Sequence, residues 1–457
     1  MGKRHEARRA STRQPRHAPH QQSTELRTLS IESLESEGRG VARHEGKVVF
    51  VEGALPGERV EARTTRTGSS YDQARTVRVL HESAGRREPR CPHFGMCGGC
   101  ATQHADQRTQ MAAKQRWLED SLERIGKVEV ETLLPIVYGE EWGYRHRARM
   151  SVRGLPLPRG ALVGFHEKQS SFVADMRQCE NLPPRISRLI TPLRELVTAL
   201  DMRERLPQVE VAVGDKVDVL VVRHLDPVSD RDAQLLREFA GREGVWLWLQ
   251  SKGPATAVPM HPPSMPDLDY TLPEFGIRIA FRPTDFTQVN HGVNRILVRR
   301  AVRLLDPQPG ERIADLFCGI GNFSLPLAAS GATVVGIEGA QELVERARSN
   351  AETNGLASRA TFECANLFEV DENRLEKWGP FDKLLIDPPR TGAAEVVKAL
   401  PDAWPRRIVY VSCDSATLAR DAGILVHTRG FRLTGAGVVN MFPHTTHVES
   451  IALFERP

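Results

Sequence analysis

The sequence predicts an α/β chain, with a doubly wound parallel sheet in its C-terminal part, a small N-terminal β-barrel and a mixed α+β central region. Three observations predict it. From about residue 290, helical and strand patterns alternate to the C-terminus, as in a parallel sheet with crossover helices. Between residues 24 and 82, short β-branched runs alternate with Gly and Pro turns, as in "GKVVFVEGALPGERVEART". Between these regions, helical periodicity and strand-like runs mix without regular order. The expected division is a basic tail over 1–22, a barrel over 23–82, a central region over 83–285 and a C-terminal domain over 286–457.

The bulk composition narrows the classes. The 457 residues suit about two to four domains, with 40% hydrophobic and 26% charged residues as in ordinary globular protein. No stretch approaches the ~18 consecutive apolar residues of a membrane span. The N-terminus lacks an apolar signal core, so a cytoplasmic location is expected. Seven cysteines, an odd number, argue for thiols or metal ligands over a disulfide framework. Residues 1–22 carry Lys3, Arg4, Arg8, Arg9, Arg13 and Arg16 against Glu6 alone, with almost no aliphatic side chains. They read as a disordered tail, either an arm for nucleic acid or simply solvated.

In chain order, "ALPGE" is a Pro-Gly turn within a barrel of four or five short strands. In 103–125, Met111, Trp117, Leu118, Leu122 and Ile125 recur at helical spacing, predicting a helix that packs on the C-terminal domain. "YRHRARMSV" and "KVDVLVVRHL" read as strands. On the first, Arg145, Arg147 and Arg149 share a face, a basic stripe suited to phosphates or an ordinary solvated face. "SKGPATAVPMHPPSMPDLD", with five prolines between 254 and 266, reads as a loop or boundary. Helices over 291–304, 322–330, 340–354, 393–400 and 415–425 then alternate with strands "RIADLF", "ATVVGIE", "ATFEC", "FDKLLID" and "RRIVYVS".

Ligands of such sheets bind beyond the carboxyl ends of the strands. After the first strand comes "DLFCGIGNFS", where Gly319 and Gly321 allow a tight turn and close backbone approach. Glu338 ends the next strand, 17 residues after Gly321, placed to accept from ribose hydroxyls. A dinucleotide site would want a third glycine where Ser324 stands. Asp387 ends the fourth strand, and Pro388 and Pro389 hold the backbone after it extended. A Gly turn, an acid and an acidic Pro-Pro turn in that order point to a Rossmann-like S-adenosylmethionine methyltransferase. Arg390 stands where adenine-amine methyltransferases often carry an aromatic ring, which argues against that substrate.

"YVSCDSATLARD" places Cys413 at the end of the next strand, before a helix that Asp414 or Ser415 can cap. The helix dipole should lower its pKa, making it a candidate nucleophile; the alternative is a small buried hydrophobe. A nucleophile suits one methylation. Pyrimidine C5 is too electron-poor to attack a sulfonium methyl, but thiolate addition at C6 makes C5 enolate-like. A base must then remove the C5 proton. "HTTHVES" offers His444, His447 and Glu449, of which Glu449 is the chosen base.

Cys91, Cys97 and Cys100, spaced C-x5-C-x2-C, form a second constellation with the distant Cys179. Four thiolates suit zinc or an iron–sulfur cluster, and spacing alone leaves both open. Cys318 and Cys364 read as packing residues.

The stretches "GRGVARHEGKVVFVEGALPGE", "CPHFGMCGGC", "DFTQVN", "DLFCGIGNFSLPLA", "GIE", "IDPPRTGA", "VSCDSATLARD" and "HVE", in order, make the chain resemble the RNA uracil-C5 methyltransferases. The likeness is to their iron–sulfur branch, which modifies large-subunit ribosomal RNA, and runs from about residue 24 to the C-terminus. It implies Cys413 as nucleophile and Glu449 as base. It implies a cofactor site of Gln288, Phe317, Asn322, Glu338, Asn366 and Asp387 for S-adenosylmethionine. It implies a [4Fe–4S] cluster on Cys91, Cys97, Cys100 and Cys179, and an OB-like TRAM barrel that binds RNA. The expected partner is 23S ribosomal RNA at a single-stranded or loop uridine, extruded to reach Cys413. No membrane and no obligate protein partner are expected. A transfer RNA substrate and a non-catalytic, cluster-bearing RNA-binding factor are the alternatives. Cytosine methylation would need Pro-Cys or Thr-Cys at the nucleophile. The family commonly reads Ser-Cys-Asn-Pro where this chain has Ser412, Cys413, Asp414 and Ser415; Asp414 is expected to turn toward the helix amides.

Overall fold

The computed structural model describes residues 26–262 and 267–456; the expected basic tail over 1–22 lies outside the described residues. The chain divides into two compact units, one of residues up to Glu35 with Arg39–Ala84, the other of Ser36–Gly38 with Gly85–Pro457. Among the described residues, no helix is long and apolar enough to cross a membrane.

Among its described residues the N-terminal unit is all-β, with six strands where four or five were expected. Leu26–Ser30, Arg59–Thr67, Tyr71–His81, Lys47–Glu52, Gly40–His44 and Ser33–Leu34 lie in that order across one sheet. The last is too short to announce itself in sequence. Alternation buries Leu29, Ala42, Val49, Val51, Val60 and Ala62 on one face. In the Pro-Gly turn, Gly57 takes a φ of 82° and the buried Glu58 carboxylate accepts from Leu55 N at 2.8 Å.

The second unit contains two large sheets. The first orders Ala257–His261, Trp246–Gln250, Asp218–Arg223, Gln208–Val213, Arg147–Gly154 and Ala161–Gly164. Helices Ile190–Ala199 and Asp230–Glu243 contribute Leu193, Leu196, Leu236 and Phe239 to the core on one face. The other face supplies Val219, Val221 and Trp248 to a core that also holds Leu297, Ile313 and Val409. The expected boundary at 285/286 therefore falls inside one continuous core. Part of the proline-rich stretch read as a loop is the edge strand Ala257–His261, where Pro259 removes no interior ladder bond.

The C-terminal sheet orders Ala360–Cys364, Thr333–Glu338, Arg312–Leu316, Lys383–Ile386, Arg407–Ser412, Glu449–Glu455 and Arg432–Val439. The first five are parallel, as expected, and the last two run antiparallel to their neighbours. This reversal brings the start of the Glu449–Glu455 strand to the edge where the parallel strands end. Gln107–Ser121 is helical and continues as a π-turn over Leu122–Gly126. There it meets the helix Ser415–His427 through glycines: a Cβ on Gly126 would stand 2.5 Å from Ala419 O.

Candidate active site

The carboxyl edge of the C-terminal sheet opens on a cavity of about 760 Å³. Gln288, Phe317, Asn322, Glu338, Asn366, Asp387, Cys413 and Glu449 all line it. Strand register explains how distant residues meet. Leu316 pairs with Ile386 and Ile386 with Tyr410, so Phe317, Asp387 and Cys413 leave adjacent parallel strands at one edge. Ser412 pairs with Ser450, which sets Glu449 beside Cys413 from the antiparallel side.

The cofactor half is built from turns. Phe317 adopts a φ of 65°, costly for an aromatic residue, and its N–H donates to Ile337 O at 2.9 Å. Gly319 and Gly321 follow at positive φ. Glu338 accepts from Gly319 N at 3.1 Å, Gly339 N at 2.8 Å and Ala340 N at 3.2 Å, so it braces the glycine turn. Asn322 Oδ1 accepts from Tyr270 Oη and Asn294 Nδ2, both at 2.9 Å. Asn366 Oδ1 accepts from Phe368 N at 3.0 Å, and the Phe368 ring lies 5.6 Å from that of Phe317. Gln288 is buried, one residue before Val289, whose carbonyl accepts from His146 N. Two aromatic rings beside two carboxylates suit a flat base joined to a cation.

At the other end, burial pushes the Glu449 carboxyl up to about 7, against the opposing pull of Arg390. Burial, with the Glu449 and Asp315 carboxylates nearby, raises the Asp387 pKa well above the usual range. The Cys413 thiol is raised to about 11, by burial first and then by Glu449 and Asp387. This corrects the expectation that the helix dipole lowers it. Asp414 Oδ1 accepts from Ala416 N and Thr417 N, both at 3.0 Å, so a carboxylate already satisfies the helix amides. Asp414 thus turns toward the helix, and burial, with the two cavity carboxylates after it, raises the thiol.

Sequence reasoning did not assign Phe286 or Phe368 to this site, weighed His447 as a base without choosing it, and gave Arg390 no role; all four line it. Arg390 Nη2 lies 3.2 Å from His447 Nδ1, and burial lowers the His447 pKa. Phe286 is 69% exposed at the cavity, two residues before Gln288 in "DFTQVN", a signal visible only as an unburied aromatic.

Cys91, Cys97, Cys100 and Cys179 line a separate cavity of about 280 Å³, which shares His447 with the first. Gly99 N donates to Cys97 Sγ at 3.4 Å, and Asn181 Nδ2 to Cys100 Sγ at 3.2 Å. Burial raises the Cys100 thiol to about 11 and Cys179 to about 12. Four sulfurs with N–H donors aimed at two of them fit a thiophilic metal group. Among the described residues, no group of three or more His, Cys, Asp or Glu converges as on a single metal ion. Cys318 is buried, but Cys364 is exposed rather than packed. The arginine stripe is partly paired: Arg147 and Arg149 share Glu210 at 4.0 and 3.1 Å, and Arg147 is only 15% exposed.

Comparison with known proteins follows the same line. The family model described as tRNA (Uracil-5-)-methyltransferase matches residues 268–457, and that of the TRAM domain matches 24–76. The 23S rRNA (uracil(1939)-C(5))-methyltransferase RlmD of Nitrosospira multiformis is 60% identical over 428 residues, covering 93% of this chain and 98% of the relative. Its namesake in Thiobacillus denitrificans is 60% identical over 429 residues, covering 94% and 99%. Among solved structures, the Pyrococcus abyssi tRNA (uracil-54, C5)-methyltransferase in complex with S-adenosyl-L-homocysteine shares the fold. It has a TM-score of 0.72 and 24% identity, covering 94% of this chain and 100% of that one. With such identity over nearly its whole length, the chain belongs to the RNA uracil-C5 methyltransferase family, alongside the 23S rRNA (uracil-C5)-methyltransferases.

Proposed function

We propose that this protein methylates C5 of a uridine in 23S ribosomal RNA, in the cytoplasm, through a covalent bond between Cys413 and uracil C6. The reading is supported most by Cys413, Asp387 and Glu449 lining one cavity with the ribose-placed Glu338. S-Adenosylmethionine supplies an electrophilic methyl group. Gln288, Phe317, Asn322, Glu338, Asn366 and Asp387, which line the cavity, would hold it, and Asp387 would also contact the uracil. The Cys413 thiolate forms the S–C6 bond, and the C5=C6 pair moves onto C5 and the O4 enolate. That pair then takes the methyl group, and the broken S–CH3 pair stays on the sulfur of S-adenosylhomocysteine, which leaves. Glu449 removes the C5 proton, the C5=C6 bond re-forms and the S–C6 bond breaks, returning the thiolate. A carboxylate raised to about 7 by burial is a stronger base than an exposed one, which suits the proton abstraction.

Methyl-labelled cofactor with unmodified 23S ribosomal RNA tests this. Label should appear as 5-methyluridine and vanish in Cys413→Ala. Label on transfer RNA alone, or full transfer by Cys413→Ala, would overturn the reading.

The second cavity is read as the seat of a [4Fe–4S] cluster held by Cys91, Cys97, Cys100 and Cys179. The four cysteines lining one cavity, with N–H donors to two of their sulfurs, support a thiolate-held group there, and the family likeness favours a cluster over zinc. About four irons and four sulfides per chain after anaerobic purification are expected; stoichiometric zinc without sulfide contradicts this.

A further inference from the structure

The end of "VSCDSATLARD" has no part in the chemistry above, yet it holds a buried carboxylate. Asp421 lies in the helix Ser415–His427 with 0% exposure. Its Oδ2 accepts from Tyr410 Oη at 2.6 Å and from Ala393 N at 2.7 Å. Ala393 N also lies 3.1 Å from Tyr410 Oη. Its Oδ1 accepts from Arg420 Nε at 2.8 Å, and Arg420 Nη2 donates to Thr391 O at 2.9 Å. Gly392, at a φ of 76°, has no room for a side chain: a Cβ there would stand 2.7 Å from Asp421 Oδ2 and 2.5 Å from Arg420 Nη2.

These bonds tie three pieces of the active site at one point. Tyr410 is on the strand that ends before Cys413, Asp421 on the helix that begins after it, and Thr391–Ala393 on the turn that carries Asp387 and Arg390. Between the turn's two anchors, Gly392 N donates to Pro389 O at 2.9 Å, so Arg390 projects from a loop fixed on both sides.

We propose that Asp421, with Tyr410 and Arg420, is a positioning clamp that sets the Asp387–Arg390 turn against Cys413. This rests on Cys413 being the nucleophile. Asp421 touches no reacting atom. It acts through Arg390, the cation that faces Cys413 alongside Glu449, Asp387 and His447. When the clamp loosens, Arg390 retreats, whereas Asp387 stays at the strand end through its N–H to Leu316 O at 3.2 Å and Glu449 stays on its own strand, so the thiolate becomes harder to form.

The test compares Asp421→Asn and Tyr410→Phe with Leu425→Ala, a buried change on the same helix away from the clamp. Single-turnover methyl transfer is measured at saturating RNA and cofactor. The pH profile of iodoacetamide alkylation is followed on the Cys413 peptide by mass spectrometry. Both clamp variants should slow transfer about 10-fold and move the alkylation profile to higher pH, with S-adenosylhomocysteine binding unchanged. Leu425→Ala should lower Tm without moving the profile. If Asp421→Asn does not fold, Tyr410→Phe decides. An unmoved profile with normal transfer, or equal shifts in Leu425→Ala, overturns the clamp. Full transfer by Cys413→Ala would instead overturn the nucleophile.

Discussion

Ser412 and Ser450 face each other across the antiparallel pair at the heart of the C-terminal sheet, with Ser450 Oγ donating to Ser412 O at 3.3 Å. Cys413 follows one and Glu449 precedes the other, so a single register sets thiol and carboxylate at the same edge. A one-residue slip of the Glu449–Glu455 strand would turn Glu449 to the other face, away from Cys413.

Glu449→Gln keeps the size of the side chain and removes its basicity. Addition and methyl transfer should proceed, while release of the C5 proton should not. A protein–RNA adduct stable to denaturing electrophoresis should accumulate, and turnover should fall by about 10²-fold or more. Intact turnover with no adduct would take the base role from Glu449.

The raised Cys413 thiol makes a chemical prediction. In the free protein it should alkylate slowly near neutral pH and faster as pH rises, without levelling off below about 9. Asp387→Asn removes one of the raising carboxylates and should move the profile to lower pH. A wild-type thiol already fully reactive at pH 7 would show that the helix dipole prevails.

Glu449 also ties stability to pH. Its folded pKa lies above the ordinary glutamate value, so the fold favours the neutral acid. The unfolded chain loses that proton first as pH rises. The cost of ionising the buried group is absent below the ordinary value and complete above about 7. Glu449→Gln should therefore be more stable than wild type at pH 8, by roughly 3 kcal/mol, and little more stable at pH 4.5. Denaturant melts at the two values check this; a gain at low pH instead would reverse the sign.

Glu338 braces the glycine turn and faces the cofactor half of the cavity. Glu338→Ala should weaken S-adenosylhomocysteine binding by about 10- to 100-fold, read by calorimetry, while Cys413 alkylation stays as in wild type. Unchanged binding would remove Glu338 from the site.

What the sequence made legible was local. Glycine turns, Pro-Pro and caps mark strand ends, so Glu338, Asp387 and Cys413 could be set at one edge before any coordinates. Properties that arise only when distant segments meet were not legible. Glu449 is 36 residues from Cys413, and nothing in "HTTHVES" announces an antiparallel strand. The thiol pKa was misjudged because burial, and after it two carboxylates from other strands, act on it only once the sheet has assembled. Arg147 looked free for phosphate until Glu210 paired with it. The strand with Pro259 was hidden because proline is a loop signal except at an edge. Asp421 carried no signal of its own, because its partners Tyr410 and Ala393 meet it only in the fold.

The central claim is the transient sulfur–carbon bond at Cys413, and 5-fluorouridine at the target position of the RNA tests it most directly. Fluorine replaces the proton that Glu449 must remove, so the account predicts a stable one-to-one complex in the presence of S-adenosylmethionine, with the cross-linked peptide containing Cys413. Turnover on unsubstituted RNA with no covalent complex on the fluorinated one, or a cross-link through another residue, would contradict it.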